Sequence, residues 1–272
     1  IFAHVLERWF NAGEYRQGVV AWMTGVLPMT VIGGLIWWSL ARISPFLGWI
    51  WNVGILYVCG VGFKQQHRAF TMVSRALGAN RMDDARRALY AWTGKPVEGL
   101  NHSQLVGLTI ECALKGALRS VFAPVFWFVV LPGPSGVLLY RLSLFFKQRW
   151  GRRVLSLGHE NFGRFFNQVM RGLNWAPMFL TASSFAVVGN FEDAIYACRQ
   201  QDKHKRNSLW AILAAGAGAL GIRFYVLDAA LDPKVYGVGD PPEQIHLQAL
   251  VGLLWRALLL WLLIIGVFSL IV

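Results

Sequence analysis

VVAWMTGVLPMTVIGGLIWWSLA at residues 19–41 and ISPFLGWIWNVGILYVCGVGF at 43–63 run for 23 and 21 positions without a charged side chain. Either stretch is long enough, as a helix, to cross about 30 Å of hydrocarbon. Arg42, Ser44 and Pro45 mark a short turn between them, and Trp37, Trp38, Trp49 and Trp51 cluster near that turn, where an aromatic belt meets the bilayer surface. The pair therefore reads as a transmembrane hairpin. The rest of the chain agrees. Of its 272 residues 56% are hydrophobic and only 15% charged, with a mean hydropathy of +0.45. Soluble domains carry roughly 25% charged residues, so a soluble enzyme and a disordered chain are both excluded. The net charge of +12 is read as basic loops held against anionic headgroups, not as a nucleic-acid interface.

Beyond the hairpin the pattern changes. Residues 64–119 hold nine Lys/Arg and four acids and are expected to form basic, water-facing helices on the membrane surface. Asp83 and Asp84 suit a first helical turn, and Gly94, Pro96 and Gly99 interrupt the pattern. Residues 120–146 begin uncharged, but Pro132-Gly-Pro-Ser-Gly136 stands within them; prolines and glycines at that density break a helix. Arg119 and Lys115 before it, and Arg141, Lys147, Arg149, Arg152 and Arg153 after it, put both flanks on the cytoplasmic side. A re-entrant or broken helix satisfies this. Two short apolar segments follow at 172–191 and 207–222, the second rich in small residues that let helices approach closely. Residues 223–247, with Asp228, Asp232, Asp240 and Glu243, read as a polar loop, and 248–272 as a transmembrane helix interrupted by Arg256. The expectation is one membrane domain: all-α, polytopic, with about four to five transmembrane helices plus a re-entrant segment and amphipathic membrane-surface helices. The sequence starts at Ile1 rather than Met, so either a segment has been removed or the sequence is a fragment, and the absence of a targeting signal carries little weight.

Motifs with chemistry are sparse. Cys59, Cys112 and Cys198 are odd in number and far apart, so they read as packing residues rather than a disulfide framework. GAGALG at 216–221 lacks the strand-to-helix setting of a phosphate loop. His4, His67, His102, His159, His204 and His246 have no metal-ligand spacing; no metal is expected from these residues. Arg256 stands out as a charge inside a spanning segment, placed either to reach the interface or to meet a buried partner. Glu111 on the helical stripe Leu105, Leu108, Cys112 reads first as a carboxylate facing solvent or headgroups.

An ordered series of short motifs goes further. RMDDARRALYAWTGK at 81–95, GL at 99–100, IEC at 110–112, FAPVFW at 122–127 and GPSGVLLY at 133–140 come first. FG at 162–163, NWAPMFLT at 174–181, AGALGIR at 217–223 and GDPP at 239–242 complete it. Across roughly residues 65–260 this series resembles the CobD/CbiB family, membrane proteins of cobalamin biosynthesis that act as adenosylcobinamide-phosphate synthases. The Arg119…Ala-Pro-Val-Phe-Trp and Asn174-Trp-x-Pro patterns are also similar to the related AmpE family, membrane proteins linked to β-lactamase induction.

The resemblance implies amide formation between adenosylcobyric acid and an aminopropanol or its phosphate, with ATP, magnesium and a corrinoid as the cofactors and substrates of a retained synthase. It implies Glu111 as a catalytic residue and Asn174, Arg223 and Asp240 as substrate-binding residues. The synthases carry Glu-Ser-x-x-Glu-Asn-x-x-x-Asp where this chain has Glu111-Cys-Ala-Leu-Lys115-Gly-Ala-Leu-Arg119, so only the first acid is retained. Three readings follow: a divergent family synthase, an AmpE-like non-catalytic regulatory membrane protein, and a structural subunit of a larger membrane complex, the last suggested by 13 Trp and the basic loops. The expected partners are a bilayer with anionic headgroups and other membrane proteins, with no nucleic acid. The expected location is the bacterial inner membrane, multi-pass.

Overall fold

The computed structural model describes residues 15–157, 160–201, 209–226 and 234–271. Asp228, Asp232, His4, His159 and His204 lie outside the described residues. Two compact units divide the chain: 1–61 with 123–176, and 62–122 with 177–272. Among the described residues four helices are long and apolar enough to cross a membrane, at Gly18–Ile43, Pro45–Gly78, His102–Val130 and Ile245–Leu270. The chain is an all-α, polytopic membrane protein carrying one small sheet.

In the first unit, α1 (Tyr15–Ile43) ends at Ser44, and α2 (Pro45–Gly78) begins at the proline, whose fixed φ suits a first helical turn. Trp51 Nε1 donates to the Gly33 carbonyl at 3.3 Å, and Gly48 lies against Ala41, so the two apolar stretches fold back as the expected hairpin. α5 (Ala123–Val130) and α6 (Ser135–Leu157) flank the Pro-Gly-Pro break. Gly133 there adopts φ +62°, and Ser135 Oγ donates to the Pro132 carbonyl at 2.7 Å. Gly136 tolerates no side chain: a Cβ would stand 1.9 Å from the Trp127 carbonyl oxygen. Segment 120–146 is therefore a broken helix. Trp22 Nε1 ties α1 to α6 by donating to Ser143 Oγ at 2.9 Å, over a core of Ala21, Val26, Phe146 and Phe166. Val31, Ile32, Leu35, Trp49, Tyr57 and Val58 remain exposed, an apolar surface far wider than a protein in water presents.

The second unit is built around α4 (His102–Ala117). Asn101 starts it with a full capping box, its side chain accepting from the Gln104 amide while Gln104 accepts from the Asn101 amide. Every residue from Leu105 to Glu111 is buried. A π-helical turn at Leu118–Phe122 carries the helix on into α5. This corrects the expectation of water-facing helices over 64–119. The cations of that block fall before residue 96 or at Lys115 and Arg119, so the block average hid an apolar core helix. The amphipathic surface character holds for α3 (Met82–Thr93), where Arg81, Arg86 and Arg87 pair with Asp83 and Asp84.

α7 (Glu160–Val188) absorbs most of segment 172–191. Residues 207–222 contribute α9 (Trp210–Ala219), at 10 residues too short to span; its length is about 15 Å. From Ala211 to Gly218 every residue of α9 is buried, because small side chains allow contact all round. A Cβ on Gly218 would stand 2.4 Å from the Asp193 carbonyl oxygen of α8 (Phe191–Gln200) and 2.6 Å from the Ala194 Cα. Gly218→Ala is expected to cost about 1–3 kcal/mol through overpacking against backbone, measured as a lower melting temperature in a fixed detergent.

The 223–247 region is also corrected. It contains β1 (Arg223–Val226) paired antiparallel with β2 (Lys234–Gly237) in the register Arg223↔Gly237 and Val226↔Lys234. Phe224 and Val226 alternate inward between exposed Arg223 and Tyr225, a strand period that only four residues display. α10 (Ile245–Ile271) closes the unit. Trp261 Nε1 donates to Ser184 Oγ at 2.8 Å in its core.

Candidate functional site

Glu111 is 1% exposed. A carboxylate so placed needs cations or donors around it. Lys115, one helical turn on, is in direct hydrogen-bonding contact with Oε1, and Lys95 Nζ approaches the same oxygen at 3.4 Å. Lys95 is positioned by the end of α3, where Gly94 takes the left-handed conformation at φ 65°. Its amide then donates to Thr93 Oγ1 at 3.1 Å, which turns the chain toward α4. Among the described residues Oε2 of Glu111, itself buried, has no hydrogen-bond partner. Glu111 is thus not the solvated carboxylate first read from its stripe. It is a buried acid clamped on one oxygen by two half-buried lysines, with the other oxygen buried and unpartnered among the described residues.

The remaining implied residues sit differently. Asn174 belongs to the first unit; it is buried, and its Oδ1 accepts from Tyr140 Oη at 2.8 Å. Trp127 Nε1 caps the adjacent Leu173 carbonyl at 3.0 Å. Tyr140→Phe removes one donor from a buried amide and is expected to cost about 1–3 kcal/mol, visible in the melt of the detergent-solubilised protein. Arg223 and Asp240, in the second unit, meet through the main chain. The Arg223 amide donates to the Asp240 carbonyl at 2.9 Å, beside a parallel bridge between Ile222 and Asp240. Their side chains are exposed. Arg256 is exposed on α10 and donates from Nε to the Gly252 carbonyl at 3.3 Å, and no acid among the described residues pairs with it.

Lys95 and Lys115 are the site residues that the sequence reading passed over. Lys115 was recoverable from its i,i+4 spacing to Glu111. Lys95 was not, since the loop between α3 and α4 brings it in across 16 positions. Among the described residues no group of three or more His, Cys, Asp or Glu side chains lies within reach of one metal ion.

A sequence model of the CobD/Cbib protein family matches residues 1–227. The chain belongs to the CobD/Cbib family. A "Cobalamin biosynthesis protein CobD" of Stutzerimonas stutzeri strain A1501 is 30% identical over 274 residues, covering 95% of this chain and 86% of the relative. Its namesake in Chromobacterium violaceum is 30% identical over 235 residues, covering 82% and 72%. That of Yersinia enterocolitica is 24% identical over 291 residues, covering 97% and 89%. No solved structure matches. Within this CobD/Cbib chain the charge of the Glu111 neighbourhood is net positive, two lysines against one carboxylate, with Arg119 following Lys115 along the same helix.

Proposed function

We propose that this chain serves cobalamin biosynthesis from the bacterial inner membrane, and that its Glu111 site takes an anionic substrate group by charge pairing. The observation that carries the reading is the clamp of Lys95 and Lys115 on buried Glu111. An anion entering there meets two ammonium groups in a setting that water screens poorly, where opposite charges attract more strongly than at the surface. The unpartnered Oε2 of Glu111, buried beside the clamp, has acceptor capacity left for one hydrogen bond from the same ligand. A carboxylate or phosphate that also carries an amine or hydroxyl donor fits this pairing, as do the corrinoid acid and aminopropanol phosphate of the family reaction.

The magnesium of the family reaction does not fit these residues as a resident ion. Such an ion is normally held by one or two carboxylates together with substrate phosphates. The one acid here is already neutralised, so no step is derived through the metal.

The test is direct. Purified protein in lipid nanodiscs is given adenosylcobyric acid, aminopropanol or its phosphate, and ATP with magnesium, and the amide product is followed by mass spectrometry. Turnover above a boiled control supports the synthase reading, and Lys95→Met should then raise KM for the anionic substrate more than it lowers kcat. Absence of turnover overturns it in favour of the AmpE-like regulatory reading, which the neutralised Glu111 also suits. That reading expects an envelope phenotype on deletion, with cobalamin synthesis intact.

A further inference from the structure

Lys95 reaches Glu111 from the connection between α3 and α4, so whatever fixes that connection fixes the second cation of the site. The loop starts within the cap of α3. Thr93 Oγ1 donates to the Leu89 carbonyl at 2.8 Å and accepts from the Lys95 amide at 3.1 Å, while Gly94 takes φ 65°. It ends in a turn: the Leu100 amide donates to the Val97 carbonyl at 3.4 Å, and Gly99, third of the four residues, stands at φ 75°, as a type II turn requires. Val97 and Leu100 are buried. Nothing stands within 4 Å of a Cβ position on Gly94 or Gly99, so these glycines serve the backbone conformation and not a close approach.

Arg86 ties the far end of this loop back to α3. Its Nη2 donates to the Leu100 carbonyl at 3.1 Å, in partly buried surroundings and across 14 positions. Leu100 immediately precedes Asn101, which caps α4, so the bond joins α3 to the start of α4 across the base of the loop. The other bond of the guanidinium, from Nη1 to Asp83 Oδ1 at 3.0 Å, lies at the surface, where Asp83 is 88% exposed; exposed pairs of this kind contribute little. Nε is buried and has no hydrogen-bond partner among the described residues. A donor left bare inside a protein is costly, so the guanidinium is placed for the Leu100 carbonyl and not for its own full satisfaction. Lys95 depends on that placement. Its side chain is 38% exposed and its four-carbon stem is flexible, so the approach of Nζ to the buried Glu111 oxygen is set by where the loop puts its Cα.

We infer that Arg86 is a positioning residue of the Glu111 site: by holding the Leu100 carbonyl it fixes the 94–100 loop, and the loop brings Lys95 onto Glu111. The guanidinium is engaged by Leu100 and Asp83, so it acts through Lys95 and not on the ligand. That the ligand is an anion rests on the function proposed above; the hold of Arg86 on Lys95 does not, and it is measured without turnover.

The experiment follows acetylation of Lys95 in the full chain in mild detergent, by a short pulse of acetic anhydride and peptide mass spectrometry. An amine paired with a carboxylate reacts more slowly than a released one, and loss of a partly exposed pair corresponds to about a two- to fivefold gain in rate. Glu111→Gln gives the released rate. Arg86→Gln should bring Lys95 to that rate although Glu111 is intact, and Arg86→Gln/Glu111→Gln should react no faster than Glu111→Gln alone. Asp83→Asn, which removes the surface bond only, should keep the wild-type rate. An unchanged rate in Arg86→Gln overturns the inference. So does a double variant faster than Glu111→Gln, because Arg86 would then act on the exposure of the loop and not on the ion pair. Equal acceleration by Asp83→Asn assigns the effect to the surface pair and overturns it too. Should Arg86→Gln fail to fold, Arg86→Met, which keeps an apolar stem in place, is read in the same way. Where the amide assay shows turnover, Arg86→Gln should raise KM for the anionic substrate, keep kcat within about twofold, and add nothing to Lys95→Met; additive effects overturn the inference. Absence of turnover sinks the synthase reading and leaves the acetylation result to decide the role of Arg86.

Discussion

Lys115→Met is expected to lower the stability of the protein by about 3 kcal/mol. Glu111 is buried, and its contacts are Lys115 one turn away and Lys95 at 3.4 Å. Removing the nearer cation leaves a buried carboxylate with one distant partner and a second oxygen already bare. Breaking a buried pair from one side costs about 3–5 kcal/mol, whereas replacing both members by apolar groups of similar volume is often neutral. Lys95 and the 22% exposure of Lys115 let water recover part of the loss, which puts the expectation at the lower end of that range. The double variant Glu111→Leu/Lys115→Met should therefore melt within about 1 kcal/mol of the wild type, and the contrast between single and double variants is the measurement. A single variant as stable as the wild type would overturn the charge clamp. Lys115→Glu, which restores the acid of the family pattern, should be less stable still unless a divalent cation is supplied.

Gly237→Ala is expected to cost about 3–4 kcal/mol, for two separate reasons. Gly237 closes β2 at φ +86°, a conformation that costs a residue with a Cβ about 1–2 kcal/mol. A Cβ there would also stand 2.0 Å from the Ile222 carbonyl oxygen and 2.5 Å from the Ala217 Cβ. The first neighbour is backbone and cannot swing away, so the strand or α9 must shift. Both pack on α4, through Phe224 against Gly107 and Gly216 against Leu114, and the displacement reaches the helix that carries Glu111. The expected readouts are a lower melting temperature and faster amide hydrogen exchange at 223–226 and 234–237. Unchanged exchange in those strands would show that the sheet does not depend on this glycine. Gly239, at φ +115° with a Cβ position 2.2 Å from the Gly221 carbonyl oxygen, is the matching position where Asp240 meets Arg223.

The membrane hairpin at 19–63 was legible because a run of uncharged residues about 20 long has one solution in a bilayer: a spanning helix with every backbone group bonded internally. The helix break at 132–134 was legible for a related reason, since proline withholds a donor wherever it stands. Arg256 is the opposite case: its sequence neighbours are apolar, and only the folded chain shows it exposed on α10 with Nε donating to the Gly252 carbonyl.

Composition and hydropathy by themselves determined that this chain lives in a membrane, that it is helical, and where its first two spans turn; the ordered motifs determined its family. These properties depend on each segment's own chemistry against a uniform solvent. The tertiary structure alone decided that α4 is a core helix, that 223–226 and 234–237 pair as a sheet, and that Lys95 and Lys115 close on Glu111. Those outcomes depend on which small residue stands opposite which large one, as with Gly216 and Leu114, and on a loop that bridges 16 positions between two charges. A buried ion pair is a property of two distant places at once, and the chain records each place without recording that they meet.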